Sequence, residues 1–327
     1  MRQQLIDTFG RIHKDLRISI TDRCNFRCTY CMPEDGLDWT PREEILTFEE
    51  IERIASLLVK RFGIESIRLT GGEPTVRANL DDLINRLSRL KVDLSMTTNG
   101  ATLSLSANRL REAGLERINI SLDSLRSERF TALTRRDNLK EVLDGISTAI
   151  EAGFDPVKIN MVVMRGINDD EILDFVEFGR SKGVVVRFIE FMPLDADEAW
   201  DERKVVPLDE ILKTISRAHG LIPIERGNSP AARWKYEDGE GEVGVIGTVS
   251  DAFCESCDRI RLTADGKFRN CLFGLKDYDL KELLRGEAND DDIAELLLRG
   301  VKEKWAGHQI GQTVFIRPSK SMSQIGG

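Results

Sequence analysis

The feature that most constrains the fold is a repeating pattern of short apolar runs and amphipathic stretches between residues 16 and 192. Most of the runs are nearly continuous and rich in β-branched residues, as in parallel strands that are buried on both faces. We predict strands at Leu16–Ile20, Ser66–Thr70, Asp93–Thr98, Arg117–Leu122, Val157–Met164 and Val184–Phe191. Helices are predicted between them, at Phe48–Phe62, Asn79–Leu90, Ser106–Ala113, Asn138–Ala152 and Asp169–Ser181.

Serial β-α units predict an α/β fold with a parallel sheet and right-handed crossovers. A closed barrel, an incomplete barrel and a doubly wound sheet all fit the pattern, and each places its functional loops after the strands. Arg17 and Arg68 lie inside predicted strands, where the tightly filled core of a closed barrel would not tolerate their charge. We therefore expect an incomplete parallel (β/α) TIM-like barrel with a wide interior, whose open side is closed by the C-terminal region.

The β-α pattern ends near residue 230, which divides the chain into a predicted partial-barrel domain (1–230) and a C-terminal region (231–327). In the C-terminal region, the glycine-rich Gly239–Gly247 segment indicates a short hairpin. Asp277–Gly286 and Asp290–Lys304 have helical patterns. The tail from Gln309 to Gly327 is polar, and we expect it to lack regular structure.

The formal net charge of −9 argues against a non-specific nucleic-acid binder. The sequence has no apolar run of about 18 residues and no apolar N-terminal stretch, so we expect a cytoplasmic protein without membrane attachment. Whether the chain forms a homodimer is left open. In a reducing compartment, the six cysteines point to metal binding or catalysis rather than to disulfides.

The first cysteine group, C-x3-C-x2-C, follows the first predicted strand and consists of Cys24, Cys28 and Cys31. Three thiolates this close together can bind one 4Fe–4S cluster and leave its fourth iron without a protein ligand. The alternatives are a zinc site and a redox pair. Zinc usually takes four ligands, and no nearby His or Cys supplies the fourth. We therefore predict a cluster with one open coordination site.

With an aromatic residue before its last cysteine, this group resembles that of the radical SAM superfamily. Gly71–Pro74 (Gly-Gly-Glu-Pro) follows the second strand, as in that family, although alone it could be an ordinary β-α turn. The resemblance implies that the open iron binds S-adenosylmethionine (SAM), which is cleaved to a 5′-deoxyadenosyl radical. It also implies SAM contacts at Tyr30, Gly72, Ser121 and Met192. On its own, Met192 would be assigned to core packing.

The second cysteine group, C-x2-C-x13-C, consists of Cys254, Cys257 and Cys271. It again offers three ligands, and the only downstream histidine, His308, is distant in the sequence. We therefore predict a second 4Fe–4S cluster whose open iron could bind substrate. Arg259 and Arg261 lie between these cysteines, and alternation puts their side chains on one side of an extended segment. Arginine forks bind phosphate oxygens, although an isolated R-x-R is more often a solvated strand.

The two groups together resemble the branch of the superfamily that cyclises GTP in the first step of molybdenum cofactor biosynthesis. The resemblance implies a lyase that converts GTP to (8S)-3′,8-cyclo-7,8-dihydroguanosine 5′-triphosphate. Hydrogen is removed from C3′ of the ribose, and the C3′ radical attacks C8 of guanine. The resemblance also implies an electron donor and a downstream synthase that makes cyclic pyranopterin monophosphate.

The same resemblance implies GTP contacts at Arg17, Arg68, Thr98, Lys158, Arg259, Ile260 and Arg261, and catalytic roles for Arg17, Gly326 and Gly327. Three of these residues, Arg17, Arg68 and Lys158, lie within apolar strands, where an unpaired buried charge would be costly. Arg187 is also in a strand, and it either joins the site or pairs with a carboxylate such as Glu190. The terminal glycines would ordinarily belong to a frayed end, whereas the resemblance implies that they enter the site.

Two other functions compete with this interpretation. A radical SAM enzyme that modifies peptides often has auxiliary clusters in its C-terminal region. Such enzymes usually use more than three cysteines there, and they need no R-x-R phosphate clamp. A non-catalytic iron–sulfur or zinc scaffold would not explain two open metal sites or arginines inside strands. We therefore expect a GTP-converting radical enzyme.

Overall fold

A computed structural model of the protein describes residues 3–194, 200–318 and 320–326. The strands in these residues are β1 (Asp15–Ser19), β2 (Ser66–Thr70), β3 (Asp93–Thr98), β4 (Arg117–Ser121), β5 (Val157–Val163), β6 (Val185–Glu190), β7 (Leu221–Ile224), β8 (Ala232–Tyr236), β9 (Glu242–Ile246), β10 (Arg259–Leu262), β11 (Lys267–Arg269) and β12 (Tyr278–Asp279). The α-helices are α1 (Phe48–Phe62), α2 (Leu80–Ser88), α3 (Leu103–Glu112), α4 (Ser127–Thr134), α5 (Leu139–Glu151), α6 (Ile172–Lys182), α7 (Leu208–Ser216), α8 (Leu280–Arg285), α9 (Asp290–Lys302) and α10 (Met322–Ile325).

All of these strands form one sheet, in the order β12-β11-β10-β1-β2-β3-β4-β5-β6-β9-β8-β7. From β10 to β9 every neighbouring pair is parallel, and antiparallel strands continue the sheet at both ends. The two end strands, β12 and β7, do not pair with each other in the described part of the chain. The sheet is therefore open, which confirms the predicted incomplete barrel.

Local sequence explains where the first helix begins and ends. Ile54 and Leu58 lie one turn apart on the buried face of α1. Thr47 and Glu50 form a capping box at its start, and Gly63 ends it in a left-handed conformation with φ 74°. The helix therefore occupies the predicted range, Phe48–Phe62.

The six predicted strands are all present. β2 and β3 have the predicted bounds, and the other four differ by one residue at one or both ends. Three of the described α-helices, α4, α7 and the short α10, were not predicted. The glycine-rich segment forms only the turn and second strand of its hairpin, because the first strand, β8, begins at Ala232. The prediction of an irregular tail was also wrong at Met322–Ile325, which forms the short helix α10.

The C-terminal region joins the barrel through its strands. β10 extends the sheet beside β1, and β9 extends it beside β6. These pairings place the second cysteine group next to the first strand, although more than 220 residues separate the two groups in the sequence. No helix in the described ranges is long and apolar enough to cross a membrane.

Candidate active site

Both cysteine groups face one cavity of about 280 Å³ at the carboxyl ends of the central parallel strands. Most of the residues predicted from the sequence line it: Arg17, Cys24, Cys28, Tyr30, Cys31, Arg68, Gly72, Thr98, Ser121, Met192, Cys254, Cys257, Arg259, Arg261 and Cys271. The fold thus brings the two three-thiol groups and most of the predicted polar contacts into one site.

The first cysteine group lies on the loop that follows β1, and its three thiols are free. The main-chain N–H of Cys31 donates to the carbonyl of Cys28 at 2.9 Å, which folds the loop back on itself. Burial and the nearby Glu73 carboxylate raise the pKa of Cys24 to about 12. Burial raises the pKa of Cys31 to about 11. The surrounding protein therefore favours neutral thiols, and their thiolates need a bound cationic centre.

Gly71 and Gly72 fix this loop by close packing. A Cβ on Gly71 would lie 2.2 Å from the carbonyl oxygen of Thr21, and a Cβ on Gly72 would lie 2.4 Å from that of Arg23. The N–H of Gly72 donates to the Thr21 carbonyl at 2.8 Å. The Cβ directions of both glycines face the loop that leads into Cys24, so the missing side chains admit protein backbone there.

Glu73 connects the loops after β2 and β3, a role that the sequence analysis did not assign. Its buried carboxylate accepts hydrogen bonds from Thr98 Oγ1 at 2.7 Å and from the N–H of Asn99 at 2.6 Å. Thr98 lines the cavity, but its hydroxyl is already used by this bond. In the sequence, the sign of such a role is an acidic residue inside a turn that otherwise consists of glycine and proline.

Tyr30 is held by Asp123, which was also missed from the sequence. The Tyr30 hydroxyl donates to Asp123 Oδ2 at 2.5 Å, and the N–H of Val162 donates to Asp123 Oδ1 at 2.8 Å. Burial raises the pKa of Asp123 to about 6. The aromatic residue of the first cysteine motif is therefore fixed by the strand ends of β4 and β5, on the cavity wall.

The second cysteine group lies in a different electrostatic environment. Burial alone would raise the pKa of Cys257, but Lys304 and Arg259 outweigh it and hold this pKa below its ordinary value. Arg11, from the N-terminal segment, donates to the carbonyl of Cys254 at 2.7 Å and to that of Ala306 at 2.8 Å. Cations thus surround the second group and tie its loop to the segment after α9.

His308 lines the same cavity, although it is 37 residues beyond Cys271 in the sequence. Its imidazole packs against Phe273, with ring centroids 5.2 Å apart. Its distance in the sequence argued against a fourth ligand from this residue, and the fold returns its segment to the same cavity. Among the described residues, however, no three His, Cys, Asp or Glu side chains are gathered tightly enough to hold a single metal ion.

Three arginines form a row across neighbouring strands of the cavity wall. In the register of the sheet, Arg17 of β1 lies between Arg68 of β2 and Arg261 of β10. In the described part of the chain, none of the three forms a salt bridge, and Arg17 Nε lacks a hydrogen-bond partner. Burial, Arg68 and Arg261 together lower the pKa of Arg17 well below its ordinary value. Asp15, two residues before Arg17 on the same face of β1, offsets part of this charge, since Arg17, Arg68 and Arg261 all lower its pKa. Adjacent strands are about 4.8 Å apart, so three close arginines still outnumber this one carboxylate and favour an added anion.

Arg187 extends the positive wall toward β5. Its guanidinium donates to Asn160 Oδ1 at 2.9 Å and to Asn119 Oδ1 at 2.6 Å, and it lines the cavity. It does not pair with Glu190, whose carboxylate accepts from the N–H groups of Leu208 at 2.8 Å and Val249 at 2.6 Å. Residues three apart in a strand face opposite sides, which explains why these two do not meet.

Lys158 and Ile260, two further predicted contacts to GTP, are not among the residues that line the cavity. Lys158 lies on the same face of β5 as Asn160, farther from the cysteines, and is half-buried. Burial and Arg187 lower its pKa to about 8. The side chain of Ile260 is fully buried in the hydrophobic core, so a contact from Ile260 to substrate would come from its main chain.

The C-terminal tail reaches the cavity wall. Arg261 donates a hydrogen bond to the carbonyl of Gly326, and Ser323 lies within hydrogen-bonding reach of Cys31. A Cβ on Gly326 would lie 2.6 Å from Thr70 Cγ2, so this position is closely packed. Gly327, the other predicted tail residue, lies outside the described residues.

Known proteins share both the sequence and the fold. Residues 18–179 match the sequence model of the radical SAM superfamily, and residues 184–310 match that of Molybdenum Cofactor Synthesis C. Streptococcus suis SuiB has a similar structure, with a TM-score of 0.63 and 14% identity over 90% of this chain and 67% of that chain. For anSMEcpe with bound AdoMet, the TM-score is 0.56 and the identity 16%, over 90% of this chain and 92% of that chain. Identities this low show the fold alone.

Two relatives are much more similar in sequence. The GTP 3′,8-cyclase of Rhodopirellula baltica is 48% identical over 99% of this chain and 92% of its own length. The GTP 3′,8-cyclase of Streptomyces coelicolor is 45% identical over 99% of this chain and 96% of its own length.

An open parallel barrel with a three-cysteine group after its first strand is the framework of the radical SAM superfamily, and the matched residues 18–179 place this chain in that class. Its similarity to the two cyclases extends over nearly the whole chain, including the second cysteine group. The chain belongs to the GTP 3′,8-cyclase family.

Membership in the superfamily implies a 4Fe–4S cluster and SAM, and the first group fits them. Cys24, Cys28 and Cys31 all line the cavity, and their thiols are free. Three thiolates leave one iron of such a cluster without a protein ligand. Tyr30 and Ser121 line the same cavity beside them. The residues that are present therefore suit the cluster, with room for a second ligand next to it.

Proposed function

We propose that this chain converts GTP to (8S)-3′,8-cyclo-7,8-dihydroguanosine 5′-triphosphate, the first step of molybdenum cofactor biosynthesis. When bound at the first group, the cluster and SAM supply the 5′-deoxyadenosyl radical that takes hydrogen from C3′ of the ribose. The protein's own task is to bind GTP, to orient its ribose toward that end of the cavity, and to exclude water.

The observation that carries this proposal is the row of unpaired arginines. Arg17, Arg68 and Arg261 are neighbours in register, and within the described ranges none of them has a carboxylate at salt-bridge distance, although Asp15 lies near enough for all three to lower its pKa. A triphosphate offers several anionic oxygens, each able to accept a charge-assisted hydrogen bond from a guanidinium fork. Arg259 continues the row toward the second cysteine group, and Lys158 lies on β5, outside the residues that line the cavity. A peptide substrate would leave these charges unmet.

The contacts to SAM follow from the first group. We assign Tyr30, Gly72, Ser121 and Met192 to SAM, since all four line the cavity beside Cys24, Cys28 and Cys31. Asp123 keeps the Tyr30 ring in place through its hydroxyl. Thr98 donates a hydrogen bond to Glu73 in the loop after β2. We retain Thr98 as a contact to GTP.

We further propose that Cys254, Cys257 and Cys271 hold a second 4Fe–4S cluster whose open iron receives the guanine. Three free thiols lining the cavity with no fourth cysteine support this assignment. Arg259, Arg261 and the main chain of Ile260 then lie between the guanine and the phosphates. Gly326 and Gly327 complete the catalytic site with Arg17, and the bond from Arg261 to Gly326 supports that role.

The proposal also includes partners and domains. The reaction needs an electron donor to reduce the first cluster, and its product passes to a synthase that forms cyclic pyranopterin monophosphate. We divide the chain into a radical SAM partial-barrel domain, 1–230, and a C-terminal region, 231–327, that carries the second cluster. The strand pairings β1·β10 and β6·β9 connect the two.

The proposal can be tested by anaerobic reconstitution with iron and sulfide, followed by incubation with SAM, dithionite and GTP. Mass spectrometry should detect 5′-deoxyadenosine together with an isomer of GTP. Cleavage of SAM without any change in GTP would reject the cyclase and direct the search to peptide substrates. Two zinc ions per chain and no sulfide would reject radical chemistry altogether.

A further inference from the structure

A buried lysine lies behind the second cysteine group, and none of the assignments above uses it. Lys304 follows the end of α9, and only 3% of its surface is exposed. Its ammonium donates to the carbonyl of Arg259 at 2.8 Å. It also lies 3.6 Å from Cys257 Sγ and 3.5 Å from the Cys257 carbonyl.

This ammonium has no anionic partner apart from the thiols. Among the described residues, no carboxylate lies within salt-bridge distance of Lys304, and the buried carboxylate of Asp7 is bound to Arg11 at 2.5 Å. Arg11 and Arg259 add further positive charge around it. A buried ammonium without a counter-charge is strongly destabilising, so the structure needs an anion at this position.

We propose that Lys304 is the counter-charge of the metal centre at the second cysteine group, and that its hydrogen bond to Cys257 Sγ raises the reduction potential of that centre. The inference rests on the proposed second cluster. A cation beside a cluster stabilises the reduced form, which carries one more negative charge. Hydrogen bonds to ligating sulfurs act in the same direction. Lys304 is therefore a positioning and tuning residue that touches a ligand, not the substrate.

A merely structural role is the competing explanation, because Lys304 also ties the carbonyl of Arg259 to the end of α9. The two roles predict different results for an uncharged side chain of similar length. If the lysine only holds the backbone, its loss destabilises the protein with or without the cluster. If it is a counter-charge, Lys304→Met stabilises the protein without the cluster, because a buried unpaired charge is removed.

The experiment isolates the second group by using full-length protein in which Cys24, Cys28 and Cys31 are all replaced by Ala. Lys304→Met, Lys304→Arg and Lys302→Met are made in this background and reconstituted with iron and sulfide. Lys302 is the matched control, since it is an exposed lysine at the end of the same helix. Iron, sulfide and the potential at which the reduced cluster appears in electron paramagnetic resonance are measured, together with the unfolding temperature of the cluster-free proteins.

We expect Lys304→Met to lower the ratio of reduced to oxidised cluster about tenfold at a fixed potential, a shift of about 59 mV to more negative values. Lys304→Arg should retain most of the parental potential, and Lys302→Met all of it. The cluster-free Lys304→Met protein should unfold at a higher temperature than its parent. A potential unchanged in Lys304→Met, or a lower unfolding temperature of its cluster-free form, would overturn the inference. A parent that binds no iron and sulfide would instead reject the proposed second cluster.

Discussion

The two cysteine groups have the same number of thiols and face the same cavity, yet different charged side chains act on the thiols of Cys24 and Cys257. Near the first group lie the buried carboxyl groups of Glu73 and Asp123. Near the second lie Lys304 and Arg259, which lower the pKa of Cys257, whereas burial and Glu73 raise that of Cys24. A motif of three cysteines therefore does not define its own chemistry, because residues distant in the sequence determine it.

This difference suits two roles in one reaction. Carboxylates near the first group disfavour extra negative charge there, which makes a bound centre harder to reduce and more strongly reducing once it is reduced. Cations near the second group attract the anionic substrate and stabilise added negative charge. Along the cavity, the charged side chains change from the carboxyl groups of Glu73 and Asp123 to the arginines of β1, β2 and β10. This change would hold the triphosphate away from the centre that cleaves SAM.

The largest expected effect comes from removing one thiol of each group. Cys28→Ala should abolish SAM cleavage, and with it GTP conversion, because the first cluster loses a ligand. Cys257→Ala should abolish GTP conversion but retain SAM cleavage, because the first group is intact. Each variant should keep roughly half of the parental iron. Iron analysis and chromatography of 5′-deoxyadenosine separate the two. Equal loss of SAM cleavage in both variants would contradict the division of roles.

The next largest effect concerns the tail. In Gly326→Ala, the new Cβ would collide with Thr70, and a residue other than glycine is strained at φ 84°. The tail should shift and lose its bond to Arg261. We expect turnover of GTP to fall about 100-fold, as for other small displacements at reacting centres, with iron content unchanged. Gly311→Ala is the control, because Gly311 has a similar φ of 80° and open space around it. Equal activity of the two variants would exclude the tail from the site.

A smaller effect is expected for the arginine row. Arg68→Met removes one charge-assisted contact of about 1.5–3 kcal/mol, which corresponds to roughly 10- to 100-fold weaker GTP binding. The unfolding temperature of the free protein should not fall, because the substitution also relieves repulsion from Arg17. Calorimetric titration with GTP measures the first quantity, and thermal unfolding the second. Arg109→Met, on the exposed face of α3, should change neither. Binding that survives in Arg68→Met would remove the row from the phosphate site.

The fold was predictable where local pattern and tertiary structure agree. β2, β3 and α1 have the predicted bounds, because continuous apolar runs mark buried parallel strands and a capping box marks the helix start. The tail is the opposite case. Met322–Ile325 is too short and polar for any periodicity to indicate a helix, and contacts from Leu194 and Arg261 hold it in place. Such contacts are not encoded in the tail itself.

The candidate site was predictable where chemistry-bearing residues occur in compact motifs. The six cysteines and the strand arginines meet in one cavity as expected. Glu73, Asp123 and Lys304 were not identified, because each acts through a partner from another element, and single charged residues are common in any sequence. The suggested pairing of Arg187 with Glu190 could have been excluded from strand alternation alone. The sequence therefore indicated the cysteines and arginines that line the cavity, and only the fold revealed the charged groups packed beside them.

A change of about one proton is expected for Lys158, the half-buried lysine of β5 that we propose as a contact to GTP. Its pKa is lowered to about 8 by burial and by Arg187. Phosphates brought beside Lys158 would raise this pKa. At about pH 9 the Lys158 amine is therefore mostly neutral in the free protein and mostly protonated in the complex with GTP. GTP binding should therefore take up a proton at about pH 9 and none at about pH 7, and affinity should weaken as the pH rises above 8.

Calorimetry in buffers of different ionisation enthalpy measures that uptake. Lys158→Met should lose the uptake that wild-type protein shows. Lys14→Met should keep it, because Lys14 is a more exposed lysine paired with Glu65 at 2.6 Å. Uptake that persists in Lys158→Met would assign the proton to another group and weaken the case for a phosphate contact on β5.

The smallest effect is expected for the anchor of the tail, a segment that contacts both cysteine regions. Lys320 forms ion pairs with Asp265 at 3.3 Å and Asp277 at 3.0 Å, all three partly exposed. Ion pairs of this kind contribute about 0.2–1 kcal/mol, so Lys320→Met should lower GTP turnover only a few-fold. The tail should also be cleaved faster by carboxypeptidase, because it detaches more often.

Lys276→Met, which breaks a comparable pair with Glu303 at 2.5 Å, should leave both rates unchanged. Since the docked tail joins Ser323 near the first group to Arg261 near the second, a turnover loss without faster cleavage would mean that Lys320 acts on the second region directly and not through the tail.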